Sequence, residues 1–134
     1  MFEMLLGHMV GDYIFQSNWM ALNKSKHNGL GWLSCFVHCS LYTISVCIIM
    51  SNKDLSWVIT VFLSHFILDK FGLPEKYLKL INGRSLEMFM NNKENTTYSP
   101  YIGLRAGFTV LVYVAVDNTM HLLIMWQAWR YLYL

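Results

Sequence analysis

The chain has 134 residues, which is the size of one ordinary domain. Hydrophobic residues make up 55% of it and charged residues only 13%, which is about half the charged share of a soluble domain. The formal net charge is +2, so neither a charge-rich nucleic-acid binder nor a disordered chain fits this composition. We therefore expect a small integral membrane protein that does not bind nucleic acid.

Four apolar segments follow one another along the chain, each about as long as a helix that crosses ~30 Å of hydrocarbon. They cover residues 2–22, 30–50, 55–71 and 103–126. Short polar turns at 23–29 and 51–54 make the first three segments antiparallel neighbours. Residues 74–90 mix apolar and basic side chains, which predicts an amphipathic helical segment on the membrane surface, broken near Asn82–Gly83. The predicted fold is all-α: one domain, residues 1–134, forming an integral membrane four-helix bundle with the amphipathic segment between helices 3 and 4.

The distribution of positive charge predicts the orientation of the chain in the membrane. If the N-terminus lies outside, eight Lys and Arg residues fall on the inner face, and the outer face has Lys53 and Arg130. The positive-inside rule then puts both termini outside the cytoplasm, in the inner (cytoplasmic) membrane. The N-terminus has no basic stretch before its apolar run, so we expect no cleavable signal peptide.

Ionisable residues inside the apolar segments are the most informative feature of the sequence. Three His–Asp pairs have a spacing of four: His8–Asp12, His65–Asp69 and Asp117–His121. Residues four apart lie on one helix face, so each pair offers an imidazole and a carboxylate to the same point. One such pair is more often a packing or capping pair, but three of them predict one shared, inward-facing polar site. His38, in the second segment, would complete it.

A metal ion is the compensation we expect for these carboxylates. Each carboxylate costs about 2.5–3.5 kcal/mol at mid-membrane on insertion scales. A divalent cation neutralises several carboxylates at once and binds neutral imidazole. A proton relay or a substrate-binding polar cluster is the alternative interpretation of the site. The predicted ligands are His8, Asp12, His38, His65, Asp69, Asp117 and His121. This set suits zinc, with iron or manganese as alternatives, and seven ligands favour two ions over one.

Other polar side chains have weaker signals. Gln16 lies one turn beyond Asp12 and is predicted either to hydrogen-bond a ligand or to make an interhelical hydrogen bond. Tyr42, four residues after His38, is placed to hold or replace a ligand. The three cysteines contain no Cys-x-x-Cys pair and are predicted to be buried thiols: Cys35, Cys39 and Cys47.

Four segments of the chain carry a family resemblance: GHMVGDYIFQSNWM, FVHCSLYT, LSHFILDKF and DNTMHLL. They resemble the bacterial and phage membrane proteins catalogued as the domain of unknown function 3307. The family pattern falls on the seven predicted ligands and on Gln16, and Asn118 stands where the family prefers Gln. The resemblance covers nearly the whole chain and implies no activity. A more distant similarity to membrane-bound predicted metal-dependent hydrolases, which are related to zinc-dependent phospholipases C, implies phosphoester hydrolysis.

The function predicted from these features is metal-dependent hydrolysis of an amphiphilic substrate, such as a phospholipid or an isoprenoid phosphate. Asp69 or Asp12 would act as general base instead of as a ligand. Membrane lipid is the expected partner, and a homo-oligomer is compatible with the sequence. Two other classes stay open: metal or proton transport, although no inverted repeat is visible, and a non-enzymatic membrane protein with a structural metal. A closed ligand set favours the structural metal, and an open position favours the enzyme.

Overall fold

The structure, a computed structural model, describes residues 1–86 and 100–134. All regular secondary structure in these ranges is helical. The described residues group into two compact units, Met1–Gly72 with His121–Leu134, and Leu73–Met120. The expectation of a single domain stays a prediction.

The first predicted helix, over 2–22, is interrupted. Helix α1 covers Phe2–Met9, a π-helical turn follows at Val10–Ile14, and α2 covers Asn18–Asn23. The interruption has a local cause, because Ser17 adopts an extended conformation and its hydroxyl accepts a hydrogen bond from the Met20 amide at 3.3 Å. This is the geometry of a helix N-cap, so the chain begins a new helix here.

The next two helices lie within a residue of their predicted bounds. Helix α3 covers Gly29–Ile49, and the side chain of Asn28 caps its first turn. Helix α4 covers Leu55–Lys70, and the Asp54 carboxylate accepts from the Ser56 amide at 3.0 Å.

The second unit contains the predicted surface segment. Helix α5 covers Leu73–Asn82. Gly83 follows it with a φ of +66°, which suits a residue without a side chain. The break predicted near Asn82–Gly83 is therefore present. The rest of the predicted segment, residues 87–90, lies outside the described residues. The last helix, α6, covers Pro100–Tyr133 and extends beyond the predicted 103–126.

Two helices of the described chain are long and apolar enough to cross a membrane: Gly29–Ile49 and Gly107–Tyr133. A third span is counted only if α4 and α5 are taken together as one broken span. Helix α1 has eight residues and is about 12 Å long, which is short of the hydrocarbon thickness. The described part of the chain is thus all-α with two or three candidate spans, as fits a membrane protein, and a bundle of four spans stays a prediction.

Close helix approach builds the core of the first unit. A Cβ added to Gly7 would lie 3.0 Å from the Cα of Val46, and one added to Gly11 would lie 3.1 Å from the Cα of Tyr42. Small residues allow this contact between α1 with its π turn and α3. The core that results contains Met4, Tyr42, Val46, Cys47, Trp57, Val61 and Met125. The three cysteines are free and buried, as predicted.

Candidate metal centre

Local structure aims the candidate ligands of the first unit at one place. Asp12 lies in the π turn. Such turns are rare in proteins, and many of those known lie at functional sites. His38 comes from α3, while His65 and Asp69 lie one helical turn apart on α4. His38 and His65 are almost completely inaccessible, and the Asp12 and Asp69 side chains are only 8% and 3% exposed. Three separate chain segments therefore bury two imidazoles and two carboxylates together.

Four donor atoms of these residues meet at hydrogen-bond distances. The Nε2 atoms of His38 and His65 are 3.0 Å apart, and each lies 3.3 Å from Asp12 Oδ1. Asp69 Oδ2 lies 3.0 Å from His38 Nε2 and 3.3 Å from His65 Nε2. We call this group, Asp12 Oδ1, His38 Nε2, His65 Nε2 and Asp69 Oδ2, the four-atom cluster.

Five of the six separations within the four-atom cluster are close to those of a metal coordination sphere. A tetrahedral zinc with bonds of about 2.0–2.1 Å has donor atoms about 3.3–3.4 Å apart. The five separations above run from 3.0 to 3.3 Å. Within the described residues, buried Asp12 Oδ1 accepts no hydrogen bond of good geometry. Such an oxygen is costly in a protein interior, and a cation at the centre of the cluster would satisfy it.

Two further histidines lie against the outer oxygens of the same carboxylates. His8 Nδ1 is 3.4 Å from Asp12 Oδ2, and His121 Nε2 is 3.5 Å from Asp69 Oδ1. Their ring centroids are 5.6 Å apart. Each carboxylate therefore turns one oxygen to the cluster and the other to a second histidine.

Tyr42 fixes the orientation of two of these rings. Its ring stacks on His65 with centroids 3.6 Å apart, and its hydroxyl lies 3.0 Å from His8 Nδ1. Tyr42 is itself 2% exposed. A phenol held in this way limits the rotation of both imidazoles, so their nitrogen atoms stay aimed at the carboxylates.

Lys24 is the residue of the centre that the sequence did not identify. Its ammonium lies 2.7 Å from Asp69 Oδ2, an atom of the four-atom cluster, and donates to Gln16 Oε1 at 3.3 Å. Gln16 thus reaches the centre through Lys24. In the sequence, Lys24 belongs to a polar turn and is counted as an inner-face charge. Lys24 reaches Asp69 because this turn packs against the end of α4.

A second buried lysine holds the turn that carries Lys24. The ammonium of Lys70, at the end of α4, donates to the carbonyl oxygens of Lys26 at 2.7 Å and of Lys24 at 3.3 Å. It also lies 4.4 Å from the ring centroid of Trp32. Lys70 is fully buried, so its charge is satisfied by these backbone and aromatic contacts.

Two more residues bear on the predicted ligand set. Cys39 Sγ lies within 4.8 Å of ligand atoms of His65 and Asp69, although the sequence argument gave the thiols no ligand role. Asp117 lies on α6 in the second unit, and its role as a ligand stays a prediction.

The family comparison agrees with the resemblance noted in the sequence. A family model described as a protein of unknown function, DUF3307, matches residues 1–133. The chain belongs to this family. The match includes every residue of the candidate centre. No curated protein and no solved structure matches the chain, so the more distant similarity to hydrolases has no support from these comparisons.

Proposed function

We propose that this protein is a membrane-embedded, metal-dependent hydrolase with its metal centre at the four-atom cluster. The observation that carries the proposal is that two buried imidazole nitrogens lie 3.0 Å apart and each lies 3.0–3.3 Å from two buried carboxylate oxygens. Burial supports it, because carboxylates in an apolar interior need a positive partner. Zinc is the metal we propose, since it binds imidazole nitrogen and carboxylate oxygen, with iron or manganese as alternatives.

The roles we propose within the cluster are unequal. Asp12, His38 and His65 would hold the ion, because one ligand atom of each lies within 4.8 Å of the other two. Asp69 differs from them because its Oδ2 also contacts the Lys24 ammonium. A catalytic site needs one position open to water, and Asp69 is the group we expect to give up that position.

The chemistry follows from these roles. A divalent ion here would lower the pKa of a bound water to about 7. Asp69 would act as general base by accepting a proton from water, and the water oxygen would displace the leaving group from the substrate. The proton on Asp69 would then pass to the leaving group. Lys24 would hold Asp69 in place before the substrate binds.

A second ion would fit beside the first. The outer oxygens of Asp12 and Asp69 face His8 and His121, so these four residues would hold the second ion. Two-metal hydrolases hold their ions about 3.5–4 Å apart, a distance that bridging carboxylates allow. We propose that the four-atom cluster fills first, because its donors are closer together.

The substrate we propose is an amphiphilic phosphoester in the inner membrane. The surface of the described helices exposes many large apolar side chains, which suits contact with lipid. The Lys24 turn and the end of α4 lie on the side that the charge distribution assigns to the cytoplasm. Both termini would then lie outside it, and substrate would enter from the inner leaflet.

A structural metal is the second candidate function, and one observation favours it. If Asp69 Oδ2 stays on the ion, four protein atoms close the tetrahedron and no position remains for water. The protein would then be a membrane partner whose metal only stabilises the fold.

The test compares metal content and hydrolysis in matched variants purified in detergent without chelators. We expect at least one equivalent of metal in the wild type, and its loss in Asp12→Asn and His65→Ala. The controls are Asp54→Asn and His27→Ala, which change the same residue types at exposed positions away from the centre. Both controls should keep the metal.

Asp69→Asn separates the two candidate functions. If Asp69 is the base, this variant keeps its metal but loses phosphodiester hydrolysis in mixed micelles. If Asp69 is an obligatory fourth ligand of a structural metal, the variant loses its metal and the wild type itself shows no hydrolysis. A wild type that contains no metal, and acquires none on dialysis against zinc, would contradict both functions.

A further inference from the structure

We propose that Lys24 binds an anionic phosphodiester oxygen of the substrate at this centre. This inference rests on the proposed metal centre and deepens it, because it specifies the charge of the substrate. Lys24 is then a substrate-binding residue, and it contacts Asp69 when no substrate is bound.

The position of the ammonium is the first argument. Lys24 Nζ is one hydrogen bond, 2.7 Å, from Asp69 Oδ2, which itself lies within 3.3 Å of both cluster imidazoles. A group that replaces Asp69 Oδ2 on the ion would therefore stay within reach of the ammonium. Lysine is a common phosphate-binding residue because it offers a compact positive charge with three rotatable donors.

Charge balance is the second argument. Asp12 and Asp69 contribute two negative charges, Lys24 contributes one positive charge, and a divalent ion contributes two. With neutral imidazoles and one ion in the four-atom cluster, the centre has one excess positive charge. A buried excess charge is unfavourable unless an anion compensates it. A phosphodiester has one negative charge and would balance it.

Accessibility is the third argument. The Lys24 side chain is 16% exposed, whereas that of its partner Asp69 is 3% exposed. The Lys24 side chain is therefore more accessible than the carboxylate that it contacts. The Lys70 ammonium donates to the carbonyl oxygens of Lys24 and Lys26 and so holds the turn that carries Lys24. Lys24 therefore keeps its place when its ammonium leaves Asp69 to bind the substrate. A substrate that approaches from this side meets Lys24 before it meets the metal.

The experiment measures phosphodiester binding to cobalt-loaded protein in detergent. Cobalt takes the place of zinc and has a visible spectrum that reports its coordination. The probes are dimethyl phosphate and a short-chain phosphatidylglycerol in micelles. The variants are Lys24→Met and Lys24→Arg, and the control is Lys26→Met, an exposed lysine of the same turn.

We expect Lys24→Met to keep its cobalt and to bind either probe about 10- to 100-fold more weakly, the effect of losing one charge-assisted hydrogen bond. Lys24→Arg should recover most of the affinity, and Lys26→Met should match the wild type. Tighter binding of the micellar lipid than of dimethyl phosphate would identify a membrane-borne substrate, and equal binding a soluble one. With either substrate source, weaker binding by Lys24→Met supports the role of Lys24.

Two results would overturn the inference. If Lys24→Met binds both probes like the wild type, Lys24 does not hold the anion. If Lys24→Met loses its cobalt, the lysine only neutralises Asp69. In both cases the wild type still binds metal, so the proposed metal centre survives. A wild type that binds no cobalt would instead refute the metal centre, and this inference with it.

Discussion

Replacing Gly11 with alanine tests how the packing of α3 supports the metal centre. The new Cβ would lie 2.6 Å from Cδ2 and 3.1 Å from Cα of Tyr42. Carbon atoms in contact are normally about 3.5–4.0 Å apart, so the tyrosine ring must move by about 1 Å. That ring stacks on His65 at 3.6 Å and its hydroxyl contacts His8, so both imidazoles lose their support.

The magnitude follows from two separate effects. Overpacking a closely packed contact costs about 1–3 kcal/mol of unfolding free energy. Loss of a contact that orients a metal ligand lowers metal affinity by about 10- to 100-fold. We therefore expect Gly11→Ala to be less stable than the wild type and to bind zinc at least ten times more weakly.

The assay combines thermal unfolding in detergent, followed by circular dichroism, with zinc affinity from chelator competition. Gly29→Ala is the matched control, because a Cβ at Gly29 meets nothing within 4 Å. If Gly11→Ala and Gly29→Ala have the same unfolding temperature and the same zinc affinity, the packing of Tyr42 does not support the centre and the reasoning is refuted.

Two further predictions concern the ends of the helices. A Cβ at Gly31 would overlap the Lys26 carbonyl that accepts from Lys70, so Gly31→Ala should displace the turn and lower thermal stability, unlike Gly29→Ala. The hydroxyl and amide of Ser56 donate to the Asp54 carboxylate and lower the pKa of Asp54 below its ordinary value. A carboxyl whose pKa is lowered by folding stabilises the folded state at every pH above its ordinary pKa. This stabilisation is lost as the pH falls through the lower, folded-state pKa. Wild type should therefore unfold at a higher temperature than Asp54→Asn at pH 7, and the difference should shrink toward about pH 3; a constant difference would contradict this.

Helix periodicity accounts for the part of the centre that the sequence predicted. His8 with Asp12, and His65 with Asp69, meet at 3.4 and 3.3 Å, since a spacing of four keeps two side chains on one helix face. The cost of carboxylates in apolar segments also indicated that these pairs would turn inward. Composition alone indicated an all-helical membrane protein.

Tertiary structure decided which donors meet across the helices. The approach of α1 to α3 depends on the contact of Gly11 with Tyr42, and the arrival of Lys24 at Asp69 joins positions 45 residues apart. Neither is visible in local periodicity, because each depends on how separate segments pack. The π turn at Asp12 likewise interrupts a segment that composition alone presents as one helix. The sequence by itself determined the donor types and the helix faces that carry them, whereas packing determined the separations of 3.0–3.3 Å that would allow these donors to share an ion.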